Sequence, residues 1–448
     1  MDLGPICRCL FAALALSSTM AHAQGPSKPS VLIMNARIFD GRSDGLTGPM
    51  SVLIEGNTIA RIAPSIAAPA GATVIDAGGG RTLMPGLIDV HAHMTISNLP
   101  LSLLMTADGN YSMLRQGKAA GEMLMRGFTS VRDVGGPSFG LKRAIDEDYI
   151  TGPRIWPSGA QISQTSGHGD FRTLHDIPRA TGEPLHFLER PGFTAIVDGE
   201  QEVLRRVREQ LMQGASQIKL MAGGGVVSSF DPLDVTQLTE KEIRAAVEAA
   251  ADWGTYVTVH AYSPAAIRKA IGAGVKCIEH GHLADEATAR LMTEMRIWWS
   301  MQPFLDDEDA IPFPAGSESR KKQLLVTNGT DTAYKLAKKF GNKLAWGTDT
   351  LFDAKLASRQ GAQLAKMVRW FTPAEVLKMA TSTNAELLAM SGPRNPYQGK
   401  LGVVEQGALA DLVLVDGDPI ATIKVIEDPA KNFLMIMKDG KVYKNLVQ

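Results

Sequence analysis

The segment Asp89-Val90-His91-Ala92-His93 closes an apolar run that begins at Leu87, and it sets two imidazoles two residues apart. Side chains on an extended strand alternate between faces, so His91 and His93 project together. Alone, an H-x-H pair is a modest metal signal, because paired surface histidines are common. Four other positions share its setting. Lys219 lies within the apolar run Gln217-Ile218-Lys219-Leu220-Met221, and a lysine is rarely buried without a partner. His260 follows Tyr256-Val257-Thr258-Val259, His280 follows Cys277-Ile278-Glu279, and Trp346-Gly347-Thr348-Asp349 adds a carboxylate. Each alone reads equally well as a hydrogen-bonded core residue. Together they supply four imidazoles, one amine and one carboxylate, the donor types of a divalent-ion centre that activates water.

Other residues carry weaker signals. In Gln164-Thr165-Ser166-Gly167-His168-Gly169-Asp170 the glycines leave His168 free to contact substrate or an oxyanion, or to bond its loop neighbours. Tyr262 shares parity with His260, which suits a carbonyl or carboxylate contact as well as packing. His282 stands two residues beyond His280 and reads as a supporting residue, while His175 and His186 sit in a polar, proline-containing stretch typical of a surface. Ala222-Gly223-Gly224-Gly225 lacks the Lys-Ser/Thr of a phosphate loop and reads as a tight turn. Trp298, Trp299 and Phe304 are candidates to wall an aromatic substrate, with barrel-core packing the default for at least one Trp. No Gly-x-Ser-x-Gly elbow is present, which disfavours a serine nucleophile.

These residues need a scaffold that brings strand ends together. Candidate strands are Leu87 to Val90, Ser130 to Val134, Arg154 to Ser158, Ile218 to Met221, Tyr256 to Val259, Cys277 to Glu279, Ile297 to Met301 and Leu344 to Trp346. Helical patterns such as Glu240 to Trp253, Ala265 to Ala273 and Asp285 to Met295 lie between several of them. This alternation over ~300 residues predicts an α/β protein, a (β/α)8 TIM barrel whose strand C-termini carry the site. Short β runs punctuated by turns precede residue 85 and return near Asp411, so a small β-sandwich built from both termini is expected. The boundaries read as 24–85 and 395–448 for the sandwich and 86–394 for the barrel. Phe304 to Gly329, with Asp306-Asp307-Glu308-Asp309 and several prolines, reads as a loop over one barrel mouth.

The 448 residues carry 46 Lys plus Arg against 47 Asp plus Glu, and this balance offers no footprint for nucleic acid. Residues 1–23 have Arg8, the apolar run Leu10 to Leu16 and Ala21-His22-Ala23, the layout of a secretory signal. That run is too short to span a bilayer, which takes ~20 apolar residues, so no membrane anchor is expected and the chain is expected to be secreted or periplasmic. Cys7 and Cys9 would leave with the signal. Only Cys277 would remain, excluding an internal disulfide in the mature chain.

The order of these motifs resembles the amidohydrolase superfamily of metal-dependent hydrolases. Pro85-Gly86-Leu87-Ile88-Asp89-Val90-His91-Ala92-His93 looks like its first-strand motif, and Lys219, His260, His280 and Asp349 follow with no ligand missing. The likeness covers nearly the whole mature chain, through Gly407-Ala408-Leu409-Ala410-Asp411-Leu412-Val413. It implies two Zn2+ or other divalent ions bridged by a carboxylated Lys219 and a hydroxide. His91, His93 and Asp349 would hold one ion, and His260 with His280 the other. Carboxylation turns a cation that repels metal into a bridging oxygen anion. Asp349 would be the catalytic proton carrier, with His168 and Tyr262 as substrate contacts.

Gly167-His168-Gly169-Asp170, His260-Ala261-Tyr262 and Ile278-Glu279-His280-Gly281-His282 resemble the imidazolonepropionase-like branch. That branch holds zinc Xaa-Pro dipeptidases and ochratoxin-degrading amidohydrolases, and Trp298 to Phe304 is most similar to the bacterial enzymes of the latter kind. The implied activity is hydrolysis of N-acyl amino acids or dipeptides, ochratoxin A to ochratoxin alpha and phenylalanine included. A homo-oligomer, an octamer, is implied too. Competing expectations are an Xaa-Pro dipeptidase, a cyclic-amide hydrolase of the imidazolonepropionase kind, and a non-catalytic structural oligomer. The bridging Lys219 speaks against a single-metal deaminase or imidazolonepropionase.

Overall fold

The computed structural model describes residues 30–179 and 182–447, so the expected export signal at 1–23 lies outside the described residues. The chain opens with β1 (Ser30–Ile38), β2 (Met50–Glu55), β3 (Thr58–Ala63), β4 (Thr73–Asp76) and β5 (Thr82–Pro85). Ten strands follow in the long middle. They are β6 (Leu87–Ala92), β7 (Phe128–Asp133), β8 (Arg154–Pro157), β9 (Gln161–Ser163) and β10 (Thr194–Ile196), then β11 (Ile218–Met221), β12 (Val257–Ala261), β13 (Cys277–His280), β14 (Trp298–Met301) and β15 (Lys343–Trp346). The chain closes with β16 (Leu412–Val415), β17 (Phe433–Lys438) and β18 (Lys441–Asn445).

Strands from both ends form one eight-stranded sheet in the order β18-β17-β16-β5-β1-β2-β3, with β4 also on β1. The first half of β1 pairs with β2 and β4, and its second half with β5. The ladder shifts between Ile33 and Ala36, where Asn35 has φ 55°, a left-handed conformation that asparagine tolerates. The two layers expected of a sandwich are therefore continuous through β1, whose halves on either side of this kink pair with different neighbours. Ile33, Ile54, Leu83, Leu414 and Met437 share the core it encloses.

The middle strands form two parallel sheets, β6-β7-β8 and β10-β9-β11-β12-β13-β14-β15. All eight segments expected from sequence are strands, and β9 and β10 are additional. The third expected strand is followed at once by β9: Gly159, at φ 75°, turns the chain between β8 and β9 where a Cβ would strike Gln210 and Phe139. This break separates the sheets, so no continuous ladder closes a barrel among the described residues. Side chains lace the two seams instead. The Gln217 amide donates to Asp133 O at 3.2 Å and Trp156 O at 3.0 Å, and the Asn384 amide donates to Ile88 O and Trp346 O, both at 2.8 Å.

Helices pack outside through apolar stripes. Glu240–Asp252 starts with a reciprocal Thr239–Glu242 capping box and buries Ile243, Ala246, Ala249 and Ala250. Among the described residues, no helix is long and apolar enough to cross a membrane. The middle joins the terminal sheet through Arg154, whose guanidinium donates to Asp411 at 3.0 Å and Asp439 at 2.7 Å. Arg154 and Asp411 are both buried. Arg154→Ala is expected to lower unfolding stability by about 3–5 kcal/mol, because a buried carboxylate loses its partner. Urea titration checks this, with turnover per folded molecule expected to persist.

Candidate metal-centre active site

Strand parity aims most of the site. On β11, Ile218 and Leu220 join the core under the helices, leaving Lys219 on the opposite face. On β12, Val257, Val259 and Ala261 do the same, which turns Thr258 and His260 inward. β6 needs a correction to simple alternation: Ile88 and Val90 pack with Cys277, Trp298 and Ala345 inside, so His91 should face out. A register shift between Asp89 and Ala92 reverses the parity. His91 and His93 then lie with ring centroids 5.4 Å apart. His280 and Asp349 are re-aimed by backbone strain, with φ of 73° and 51°, a region where non-glycine residues mark functional geometry.

The imidazoles meet. Ring centroids are 4.9 Å apart for His91 and His280, 4.5 Å for His260 and His280, and 4.1 Å for His168 stacked on His260. Ligating atoms of His91, His280 and Asp349 lie within 4.8 Å of one another. Asp349 Oδ1 is 3.3 Å from His91 Nε2 and 3.2 Å from His93 Nε2. Burial alone would raise the Asp349 carboxyl, but the adjacent His91 and His93 imidazoles hold it well below the usual carboxylate range.

Each ring has an outward anchor that sequence reasoning missed. His91 Nδ1 donates to Glu279 at 2.8 Å, His93 Nδ1 to Gly135 O at 3.1 Å, His260 Nε2 to Gly224 O at 3.1 Å and His280 Nδ1 to Gln302 Oε1 at 2.7 Å. A carbonyl or carboxylate only accepts, so these bonds fix the proton on the anchored nitrogen. The other ring nitrogen is left for the site. For His91 and His93 it is Nε2, and both Nε2 atoms face the Asp349 oxygen; burial lowers the His91 imidazole, but the Asp349 and Glu279 carboxylates raise it above the ordinary value, so positive charge is favoured at this point. Such an arrangement calls for a cation between them, which is the observation that the donor set fits a metal ion.

Lys219 is 1% exposed, and no direct hydrogen-bond partner for its Nζ is found among the described residues. Burial holds its amine below the ordinary lysine value against the attraction of Glu279 and Asp349. Burial likewise pushes His260 and His280 well below the ordinary histidine value, keeping both rings neutral and able to ligate.

Beneath the ligands lies a buried polar layer. Arg132 donates to Glu279 at 2.6 Å, to Tyr256 at 3.1 Å and to Val90 O at 2.6 Å, and Thr258 also bonds Glu279. Glu279 thus joins a permanent cation to the anchored nitrogen of His91. Its inward parity with Cys277 was legible, but nothing local named Arg132 as its partner. Glu279→Gln is expected to weaken metal retention about 10–100-fold, read by competition with a chromogenic chelator.

His168 is held by Ser228 Oγ at 2.6 Å and by Asp231 at 3.5 Å. The requirement for Gly225 follows, since a Cβ there would overlap the His168 ring. Tyr262 is buried, and its ring lies 4.9 Å from His260. His168, His260, Tyr262, Thr348 and Asp349 line one cavity that encloses about 820 Å³ of empty space, part of it open to solvent. Leu305, Ile311 and Phe313 from the proline-containing segment form its roof. Phe304 lines it as well, whereas Trp298 and Trp299 are core residues: Trp299 Nε1 donates to His280 O at 2.7 Å and Trp298 packs with Cys277. His282 bonds Gln302 O at 2.9 Å and stands outside the donor cluster. His175 is exposed and His186 half-buried.

An α/β scaffold whose parallel strands end in converging imidazoles, a buried lysine and a strained aspartate is the frame of a hydrolase that works on a polarised carbonyl. The chain belongs to the amidohydrolase family, which it matches over residues 82–443. It is 35% identical to ochratoxinase of Aspergillus niger over 373 residues, 81% of this chain and 75% of the relative. The crystal structure of that A. niger enzyme aligns at TM-score 0.81 and 28% identity over 94% of this chain and 96% of the other. A prolidase complexed with N-methylphosphonate-L-proline gives TM-score 0.83 at 34% identity, covering 93% of this chain and 100% of the prolidase. A Xaa-Pro dipeptidase with methionine bound in its active site gives 0.80 at 30% identity, over 93% and 100%. The protein is thus a hydrolase acting on C–N bonds, with the TIM-barrel-type architecture of its family and an additional domain.

Proposed function

We propose that the chain is an exported, binuclear zinc amidohydrolase that cleaves N-acyl amino acids or dipeptides, ochratoxin A among them. The convergence of His91 Nε2 and His93 Nε2 on the Asp349 carboxylate carries this reading. His91, His93 and Asp349 would hold one ion, His260 and His280 the second, and Lys219 in carboxylated form would join them. Bound divalent ions supply Lewis acidity, lowering the pKa of water and polarising the scissile carbonyl.

The chain's own groups do the rest. Asp349, kept ionised, takes the proton of the attacking water and returns it to the departing nitrogen, without which an amide anion would have to leave. Tyr262 and His168 border the same cavity, where they orient the carbonyl oxygen and the carboxylate of the leaving amino acid. Val226, Phe304, Leu305 and Val326 give the acyl side an apolar wall. Likeness to the A. niger ochratoxinase supports an aromatic acyl group there.

A Xaa-Pro dipeptidase is the second reading, favoured by the likeness to the prolidase complexed with N-methylphosphonate-L-proline. One screen separates the two: metal-loaded protein is offered ochratoxin A, N-acyl-L-phenylalanines and dipeptides ending in Phe, Pro or Arg. We expect preference for phenylalanine as leaving group, and loss of activity after chelation with recovery on adding zinc. Dominant Xaa-Pro cleavage would move the assignment to the dipeptidase. A full zinc complement with no turnover on any amide would leave a structural oligomer, and a metal ratio near one per chain would revive the imidazolonepropionase type. Export, the homo-oligomeric state and the division near residues 86 and 395 belong to the same proposal.

A further inference from the structure

A second cavity adjoins the one beside Asp349, and the two share Val227, Ile311 and Phe313 in their walls. It encloses about 1220 Å³ of empty space, again partly open, between Phe171, Phe193, Phe230, Leu101, Leu104 and Leu188. All three shared side chains are half-buried and apolar, so the boundary between the two cavities sets no polar side chain against a substrate.

The charges of the second cavity are already spent on each other. Asp170 and Arg172 are the only charged residues in its described lining, and the Arg172 guanidinium donates to both Asp170 oxygens, at 2.8 and 2.7 Å. Ser228, also at its wall, is engaged by His168. The Arg172 guanidinium is turned to Asp170 and Thr165, and the rest of the lining is mainly apolar, with Gln161, Thr173 and Ser229 among its polar side chains. A leaving amino acid, which brings a carboxylate, is placed near His168 and Tyr262, and the space beyond this boundary suits an apolar tail.

We infer that this second cavity receives the tail of the acyl group, so that the preferred substrates are N-acyl amino acids with long, unbranched apolar acyl chains. The inference rests on the N-acyl amino acid reading above and names its substrate class more closely. A pocket for a single small acyl residue would have no use for the added apolar volume. Burying each methylene would favour binding of a longer chain, by up to about fourfold per group.

The test is a series of N-acetyl-, N-hexanoyl-, N-decanoyl- and N-tetradecanoyl-L-phenylalanine with the metal-loaded full chain. kcat/KM should rise at least tenfold from acetyl to decanoyl. Phe230→Glu places a charge in the cavity at an exposed position, and Leu104→Trp fills it from another side. Either variant should flatten the rise while cleaving the N-acetyl substrate at the wild-type rate. A flat wild-type series, or a rise that survives both substitutions, overturns the acyl-tail assignment while leaving the N-acyl amino acid reading intact. Failure to cleave any member of the series overturns that reading and the inference with it.

Discussion

Asp349→Asn is expected to lower kcat/KM by about 10³-fold or more while leaving the fold in place, as read by steady-state hydrolysis alongside near-UV circular dichroism. The size follows from two losses at one atom. The amide nitrogen or oxygen of Asn cannot shuttle a proton as an ionised carboxylate does, and general acid–base work alone contributes about 10²–10⁴-fold. The charge facing His91 Nε2 and His93 Nε2 also disappears. Metal content, measured in parallel by elemental analysis, should fall less than activity, because His91, His93, His260 and His280 keep their outward anchors. An Asn variant with full activity would remove Asp349 from the proton path.

Lys219→Ala should abolish turnover to a similar degree and for a different reason. The buried amine has no hydrogen-bonding partner among the described residues and is surrounded by the fields of Glu279, Asp349 and Arg132. Burial lowers the amine's pKa and so favours its free-base form, the nucleophile toward carbon dioxide, and the product supplies an anionic oxygen pair where a cation would be costly. The variant should bind less metal per chain, and added acetate or formate, which can occupy the vacated space, should restore part of the activity. Lys219→Met separates stability from chemistry. An apolar side chain of similar length should leave the metal-free protein as stable as wild type or more so, whereas a structural ammonium would make that substitution destabilising.

Much of this was legible in the sequence because chemistry and strand ends coincide. Six donors spaced across eight apolar runs define both the strands and the residues at their C-terminal ends, and all eight runs are strands in the structure. What escaped was of longer range. Gln302 and Gly224 O anchor rings from other elements, and Arg132 reaches Glu279 across 147 positions; no local pattern encodes such pairs. The parity reversal in β6 was hidden because His91 and His93 keep their mutual spacing whichever face they share. Between the two roles left open for Trp298 and Trp299 the structure selects core packing, which size and aromaticity alone do not decide; Trp299 shares parity with the helix-covered core. That the two terminal layers are joined through β1 was not legible, because the kink at Asn35 is one residue long and its effect is global.

That kinked sheet sets the order in which the chain can mature. β5 is made early, yet its antiparallel neighbour β16 lies more than 300 residues later, pairing Pro85 with Leu412. Until the far end is synthesised, β5 has an open hydrogen-bonding edge beside an apolar face, the kind of edge that captures strands of other chains. Contacts so distant in sequence also close slowly, since the loop entropy is met before any pairing rewards it. The native sheet is therefore a completion signal: it cannot assemble on a truncated chain, and a polypeptide that stops before β16 leaves its first strands seeking partners elsewhere.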